Sequence, residues 1–130
     1  MDGAFLKSLN SASSGMAAQG QRLRVVSENV ANADTPGYRR KTISFSSEVD
    51  ASGAAVVKVG RVKPDQSDLS QVFDPGNPLA DERGMVTMSN VNIINEMADA
   101  REAQRSFEAN QSIFTQARKM YAGALDLLKR

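Results

Sequence analysis

The chain has 130 residues, 41% of them apolar and 24% charged, a size that allows one domain with a small core and argues against a two-domain enzyme. With 16 basic and 15 acidic side chains it has no global charge asymmetry to draw it to nucleic acid or acidic lipid. Cysteine, histidine and tryptophan are absent, which removes thiolate nucleophiles, disulfides, the usual zinc and haem ligands, and the imidazole used in most acid/base catalysis near neutral pH.

The chain opens Met1-Asp2-Gly3-Ala4-Phe5-Leu6-Lys7, and no apolar run of signal-peptide or membrane-span length follows. Over residues 1–33 apolar side chains recur at spacings of four and three: Phe5, Leu9, Ala12, Met16, Leu23, Val26, Val30 and Ala33, with Gln19 as the polar interruption. That is a heptad seam and predicts a long helix. Gly15 and Gly20 lie inside it, each costing about 1 kcal/mol relative to alanine, so packing has to hold the helix. Its polar face mixes Lys7, Arg22 and Arg24 with Asp2, Glu28 and Asp34, which suits a partner helix better than a membrane surface.

The string Ala31-Asn32-Ala33-Asp34-Thr35-Pro36-Gly37-Tyr38 ends this helix. Asparagine suits a left-handed cap, and Pro-Gly suits the two central positions of a type II turn. The expected result is a hard stop and a redirected chain.

Residues 34–91 hold all four prolines and read as irregular structure with short strands, among them Thr42–Phe45 and the β-rich stretch 55–62. Charge is segregated here. Residues 36–63 carry six basic and two acidic side chains, and residues 64–90 carry one basic and five acidic. Strands pairing within one chain account for this, as do complementary contacts between adjacent copies. Arg39-Arg40-Lys41 is too short and too poor in aromatic neighbours to predict a nucleic-acid surface. Asp74, Asp81 and Glu82 are close in sequence, but their spacing matches no calcium loop and predicts a surface loop rather than a metal or catalytic site. No catalytic residue, cofactor, metal or small-molecule substrate is expected.

Residues 92–130 form a second seam, with Ile93, Ala100, Phe107, Phe114, Tyr121 and Leu128 seven residues apart and Ala103, Ala117 and Ala124 three places after a heptad lead. Asn92 is the expected N-cap, Glu96 and Asp99 fall in the early turns, and Lys129 and Arg130 close the chain as the helix dipole prefers. Asn110 lies in the seam, where a polar residue fixes register or partner number, or else faces a solvent-filled gap. The fold expected is mainly α, with N- and C-terminal helices forming an antiparallel coiled coil around a small β-rich or irregular insert. Two seams with alanine in the second row bury too little to offset the entropy of ordering both helices, so further faces must be covered by a partner.

Two stretches carry a resemblance. SGMAAQGQRLRVVSENVANADTPGYRRK, from Ser14 to Lys41, resembles the N-terminal signature of bacterial flagellar axial proteins, the rod and hook group. DPGNPLADERGMVTMSNVNIINEMADAREAQRSFEAN, from Asp74 to Asn110, resembles a second signature found in basal-body proteins of the proximal rod. Asn77, Met85 and Ser89 stand where that pattern has His, Tyr and Pro.

The resemblance implies that the seams from Phe5 to Ala33 and from Ile93 to Leu128 pack as an antiparallel coiled coil lining the rod interior. It implies that Ala31, Asn32, Thr35, Pro36, Gly37 and Tyr38 form the exit from that coil. Asp74, Pro75, Pro78, Ala80, Asp81 and Gly84 would shape the turn leading back to the second helix. It further implies a structural, torque-transmitting subunit that assembles with copies of itself and with other rod subunits. Export would run through the flagellar type III apparatus, without a cleaved signal peptide, into a periplasmic rod of the basal body. Read without the resemblance, the same amphipathic pattern fits a soluble helical adaptor or export chaperone.

Overall fold

The computed structural model describes residues 2–129, and Met1 and Arg130, with the contribution of Arg130 to the C-terminal helix end, lie outside it. Two long helices, α1 (Asp2–Ala31) and α2 (Ile93–Leu128), flank six short strands: β1 (Lys41–Thr42), β2 (Phe45–Val49), β3 (Ala55–Val59), β4 (Lys63–Pro64), β5 (Gln71–Phe73) and β6 (Met85–Thr87). At 1.5 Å per residue the helices span roughly 45 and 54 Å. The helices pack together, and their contacts run in opposite chain order: Phe5 meets Tyr121, Gly15 meets Asn110, Arg22 meets Asp99 and Asn29 meets Glu96. No helix among the described residues is long and apolar enough to cross a membrane.

Both helix ends follow local chemistry. The Asn92 side chain accepts the Asn95 N–H at 3.2 Å, as expected of an N-cap. At the end of α1 no residue other than glycine has a positive φ among the described residues, so Asn32 does not take the left-handed cap. It works through its side chain, whose Nδ2 donates to the Glu28 carbonyl at 2.9 Å and satisfies a C-terminal acceptor of the helix.

The six strands form three separate antiparallel pairs, β1 with β4, β2 with β3, and β5 with β6. The alternation expected over Thr42–Phe45 is split between β1 and β2, with Ile43 and Ser44 outside both strands. The β2–β3 hairpin lies against α1: the Val57 N–H, on the outer edge of β3, donates to Ser14 Oγ at 3.0 Å. A helix thus covers a strand edge that would otherwise be free to pair with another chain.

Three aspartates organise the loops. Asp50 Oδ1 accepts from the Ser52 N–H, the Ser52 hydroxyl and the Ala54 N–H, closing the β2–β3 hairpin. Asp65 Oδ1 accepts the Ser67 N–H, and Asp81 Oδ1 accepts those of Arg83 and Met85. These bonds hold all three carboxyls below the ordinary aspartate range. The leading cause is the Ser52 hydroxyl for Asp50, the Ser67 N–H for Asp65 and the Met85 N–H for Asp81. A lowered folded-state value means that their stabilisation is present above the unfolded value of about 4 and is lost as pH falls through the folded values. In an acid titration followed by NMR, the amide resonances of Ala54, Ser67 and Met85 are therefore expected to move together below about pH 4 and to stay constant above about pH 5.

Candidate assembly surface

The helix interface is built on small residues. Among the described residues Ala12, Ala18, Val25, Val26, Ala103 and Ala117 are the buried apolar residues of the two helices, with Ala18 and Ala103 fully buried. Gly15 sits where a Cβ would come within 2.7 Å of the Asn110 amide nitrogen, so α1 approaches α2 closely at this level. Asn110 is half-buried against Gly15, and its Nδ2 donates back to the Ser106 carbonyl at 3.0 Å on its own helix. Toward the end of the pair the rings of Phe5 and Tyr121 meet edge to face, centroids 6.2 Å apart.

The other seam residues are placed as follows. Leu9, Met16, Leu23, Phe107 and Phe114 are half-buried and Val26 is buried, whereas Val30, Ile93 and Leu128 are exposed. A straight helix with 3.6 residues per turn drifts from a strict heptad, and by the last turns of α1 the inward positions are Val25, Val26 and Asn29 instead of Val30. Ile93 is the first residue of α2, and Leu128 stands about two turns beyond Tyr121, past the level of Phe5.

Gln19, the polar interruption in the first seam, is only partly buried, but its Oε1 is sealed from solvent without a hydrogen-bond partner among the described residues. Such an orphaned acceptor costs about 1–3 kcal/mol.

Where α1 ends, a polar cluster ties four elements together. Asn29 is fully buried and fully satisfied: Nδ2 donates to the Lys41 carbonyl at 2.9 Å and to Glu96 Oε2 at 3.3 Å, and Oδ1 accepts the Lys41 N–H at 2.8 Å and the Tyr38 hydroxyl at 2.9 Å. Glu96, also fully buried, forms an ion pair with Arg40, whose guanidinium continues to Asp99 at 3.2 Å and Asp65 at 3.5 Å. Burial by itself would lower the Arg40 value, but the bond and charge of Glu96 and the charge of Asp99 raise it. Burial, then the charge of Glu28, pushes the Tyr38 hydroxyl up, which keeps it a proton donor to Asn29. Arg22 joins the edge of the cluster through Asp99 at 3.3 Å, and Lys41 pairs with Glu28 at 2.5 Å.

Sequence reading missed this cluster. It assigned Glu96 to the helix dipole and Arg40 to a basic run too short for a nucleic-acid surface. The available signal was spacing: Glu96 lies seven residues before Ala103 and fourteen before Asn110, on the inward row of α2.

The first family string forms the exit from α1. The Tyr38 N–H donates to the Thr35 carbonyl at 3.2 Å across Pro36 and Gly37, and Gly37 has φ +75°, the type II turn expected from Pro-Gly. Thr35 Oγ1 donates to Asn32 Oδ1 at 3.1 Å, and the Gly37 N–H donates to the Thr87 carbonyl at 3.1 Å. Ala31 closes the helix, and the turn then aims Tyr38 back at Asn29.

The second string forms the loop of the β5–β6 hairpin, one step before the lead into α2. The Asp74 N–H donates to the Gly84 carbonyl, the Ala80 N–H to the Asn77 carbonyl, and the Asp81 N–H to the Met85 carbonyl. Gly84 is buried with φ +77°, and a Cβ there would meet the Phe73 ring at 2.9 Å and the Pro75 side chain at 3.1 Å. Asp74 accepts from Asn77, and Asp81 accepts from its own loop, while Pro75 and Pro78 lie exposed in the turns between them. Ser89, standing where the family pattern has Pro, is buried. Its hydroxyl donates to the Ala33 carbonyl and accepts the Val91 N–H at 3.3 Å, joining the exit of α1 to the entry of α2.

Two of these features, the Gln19 acceptor and the Glu96–Arg40 pair, are tested by substitution. Gln19→Leu removes the orphaned acceptor and is expected to raise the thermal midpoint, by the equivalent of about 1 kcal/mol or more. Arg40→Ala leaves Glu96 buried without its counter-charge and is expected to cost about 3–5 kcal/mol, whereas Arg40→Met with Glu96→Leu should cost less than Arg40→Ala alone. Both are read from the circular-dichroism melting curve at 222 nm.

Family models match both ends of the chain. Residues 9–39 match the flagella basal body rod protein model, and residues 82–127 match the C-terminal model of the flagellar basal body rod FlgEFG proteins. Along nearly the whole length the chain is similar to flagellar basal-body rod protein FlgC of Agrobacterium fabrum, with 52% identity over 126 residues and 91% of each chain covered. FlgC of Escherichia coli O6:H1 is 39% identical, covering 95% of this chain and 98% of its own. FlgC of Borreliella burgdorferi is 32% identical, covering 96% and 98%. The adaptor or chaperone reading has no support in these relatives. Whole-length similarity to these relatives, with the two family models at its ends, places the chain in the FlgC family of flagellar basal-body rod proteins, as a structural subunit of the rod.

Proposed function

We propose that α1 and α2 act as an antiparallel coiled coil within the rod, and that the outer face of α2 is covered by neighbouring subunits. The observation that carries this reading is the apolar row left open on α2. Ile113, Met120 and Leu127 repeat at seven residues and are exposed at 53%, 55% and 71%. Ile94 and Met97 are exposed toward the other end of α2. A heptad row beside an existing seam is the pattern by which a helix pair joins a larger bundle. Between the pair, a groove of about 290 Å³ lined by Phe5, Ser8, Ile113, Ala117 and Met120 offers a hole for an incoming side chain.

On this reading Phe5, Leu9, Met16, Leu23, Val26, Phe107, Phe114 and Tyr121 hold the pair, and Asn110 against Gly15 sets its register. The loops at Ala31–Tyr38 and Asp74–Gly84 fix the direction in which the middle segment leaves and rejoins it. Torque from the motor passes between subunits through such interdigitated side chains and through the middle segment. The subunit assembles with copies of itself and other rod subunits in the periplasm after export, unfolded, through the flagellar type III apparatus without a cleaved signal peptide. A helix pair whose buried side chains are mostly alanine and valine, with its larger side chains only half-buried, is easily undone, which suits passage through a narrow channel. The role is structural and not enzymatic.

Ile113→Glu with Met120→Glu changes only exposed positions of the pair. The variant chain is expected to keep the helical content of the parent but to be missing from purified basal bodies by immunoblot, with loss of swimming on soft agar. Normal incorporation of this variant would refute the covered face.

A further inference from the structure

The segregated charges of the middle segment are only partly neutralised within the chain. β2 pairs with β3 inside the basic stretch, β5 pairs with β6 inside the acidic stretch, and β1–β4 sets Lys41 and Thr42 beside Pro64 and Lys63. Strand pairing therefore keeps each stretch largely to itself. Arg40 with Asp65 is the one ion pair between the two stretches among the described residues. Lys58 is used by Glu48 and Lys41 by Glu28, whereas Arg61 and Lys63 on one side and Asp68 and Glu82 on the other have no ion-pair partner among the described residues and lie exposed.

The acidic hairpin also presents apolar side chains. Phe73 is 68% exposed and Leu79 65%, beside a fully buried Val86 that anchors the hairpin from its inner face. On the basic side Val62 lies exposed between Arg61 and Lys63. An apolar centre with a charged rim, facing a second surface of opposite charge, is the anatomy of a specific protein contact.

From this arrangement we infer that the acidic β5–β6 hairpin of one copy docks on the Arg61–Lys63 surface of the next copy of the same chain. The inference rests on the rod-subunit reading. Because the two patches differ, the contact is heterologous: each copy offers one patch and uses the other. Repetition by rotation and rise then propagates a helix instead of closing a dimer. The charged rims set orientation and exclude wrong pairings, and Phe73 and Leu79 supply the buried area.

The test uses two differently tagged copies of the full chain expressed together, one with Val62→Cys and one with Gly76→Cys, each the single thiol of its copy because the chain has no cysteine. Basal bodies are purified and treated with a thiol-reactive bifunctional cross-linker. A product carrying both tags is expected. Asp68→Lys with Glu82→Lys should reduce that product about a hundredfold by setting like charges together, and adding Arg61→Glu with Lys63→Glu to the same chain should restore it along with swimming. Tagged copies present in basal bodies but cross-linked only to a different rod protein, or not at all, would overturn the inference while leaving the rod reading intact. So would a charge-reversal defect that the reciprocal reversal does not repair. Absence of the unsubstituted chain from basal bodies would overturn the rod reading and this contact with it.

Discussion

The buried ion pair of Glu96 with Arg40, braced by Asn29, is the constraint on which the arrangement of the other elements depends. A carboxylate without solvent exposure at the start of α2 is tolerable only with a counter-charge and donors for its oxygens. Arg40 and Asn29 supply them from the far side of the exit turn and from the last turns of α1. To bring Arg40 there the chain must leave α1 at Ala31, reverse over Pro36-Gly37 and enter β1 at Lys41. The buried charges and their hydrogen bonds thereby fix the direction of exit from the helix pair.

Away from this cluster the helices are held by shape. Alanine and glycine at the facing positions allow close approach, and each contact is small. Such an interface specifies alignment better than it provides stability. The bulk of the large apolar side chains on α2 is left outward, at Ile94, Met97, Ile113, Met120 and Leu127. An apolar row left open in this way is the pattern expected of one subunit among many.

The two family strings do different work from each other. Ala31–Tyr38 turns the chain and ends on the buried cluster. Asp74–Gly84 closes a hairpin whose base is tied to the segment leaving α1, where the Gly37 N–H reaches the Thr87 carbonyl and the Ser89 hydroxyl reaches the Ala33 carbonyl. Ser89 in place of the family proline trades ring rigidity for a hydroxyl that bonds on both sides, so the join between the exit of α1 and the entry of α2 is kept by hydrogen bonds.

The sequence by itself determined what depends on nearest neighbours along the chain. Seven-residue spacing marked α2 as a long helix, Asn92 its cap and Pro36-Gly37 the type II turn, because each is decided by period or by allowed φ within a few residues. The unbroken strand read over Thr42–Phe45 failed because pairing partners, not alternation, decide where a short strand stops. Tertiary structure alone decided the left-over cases. Asn32 caps through its side chain and not through left-handed backbone. Val30 turns outward because the face of a straight helix drifts away from a heptad. Glu96, Arg40 and Asn29, scattered over 67 residues, become one buried cluster. The worth of a charged or polar residue depends on whether solvent or an opposite charge surrounds it, and that is set only when distant segments meet.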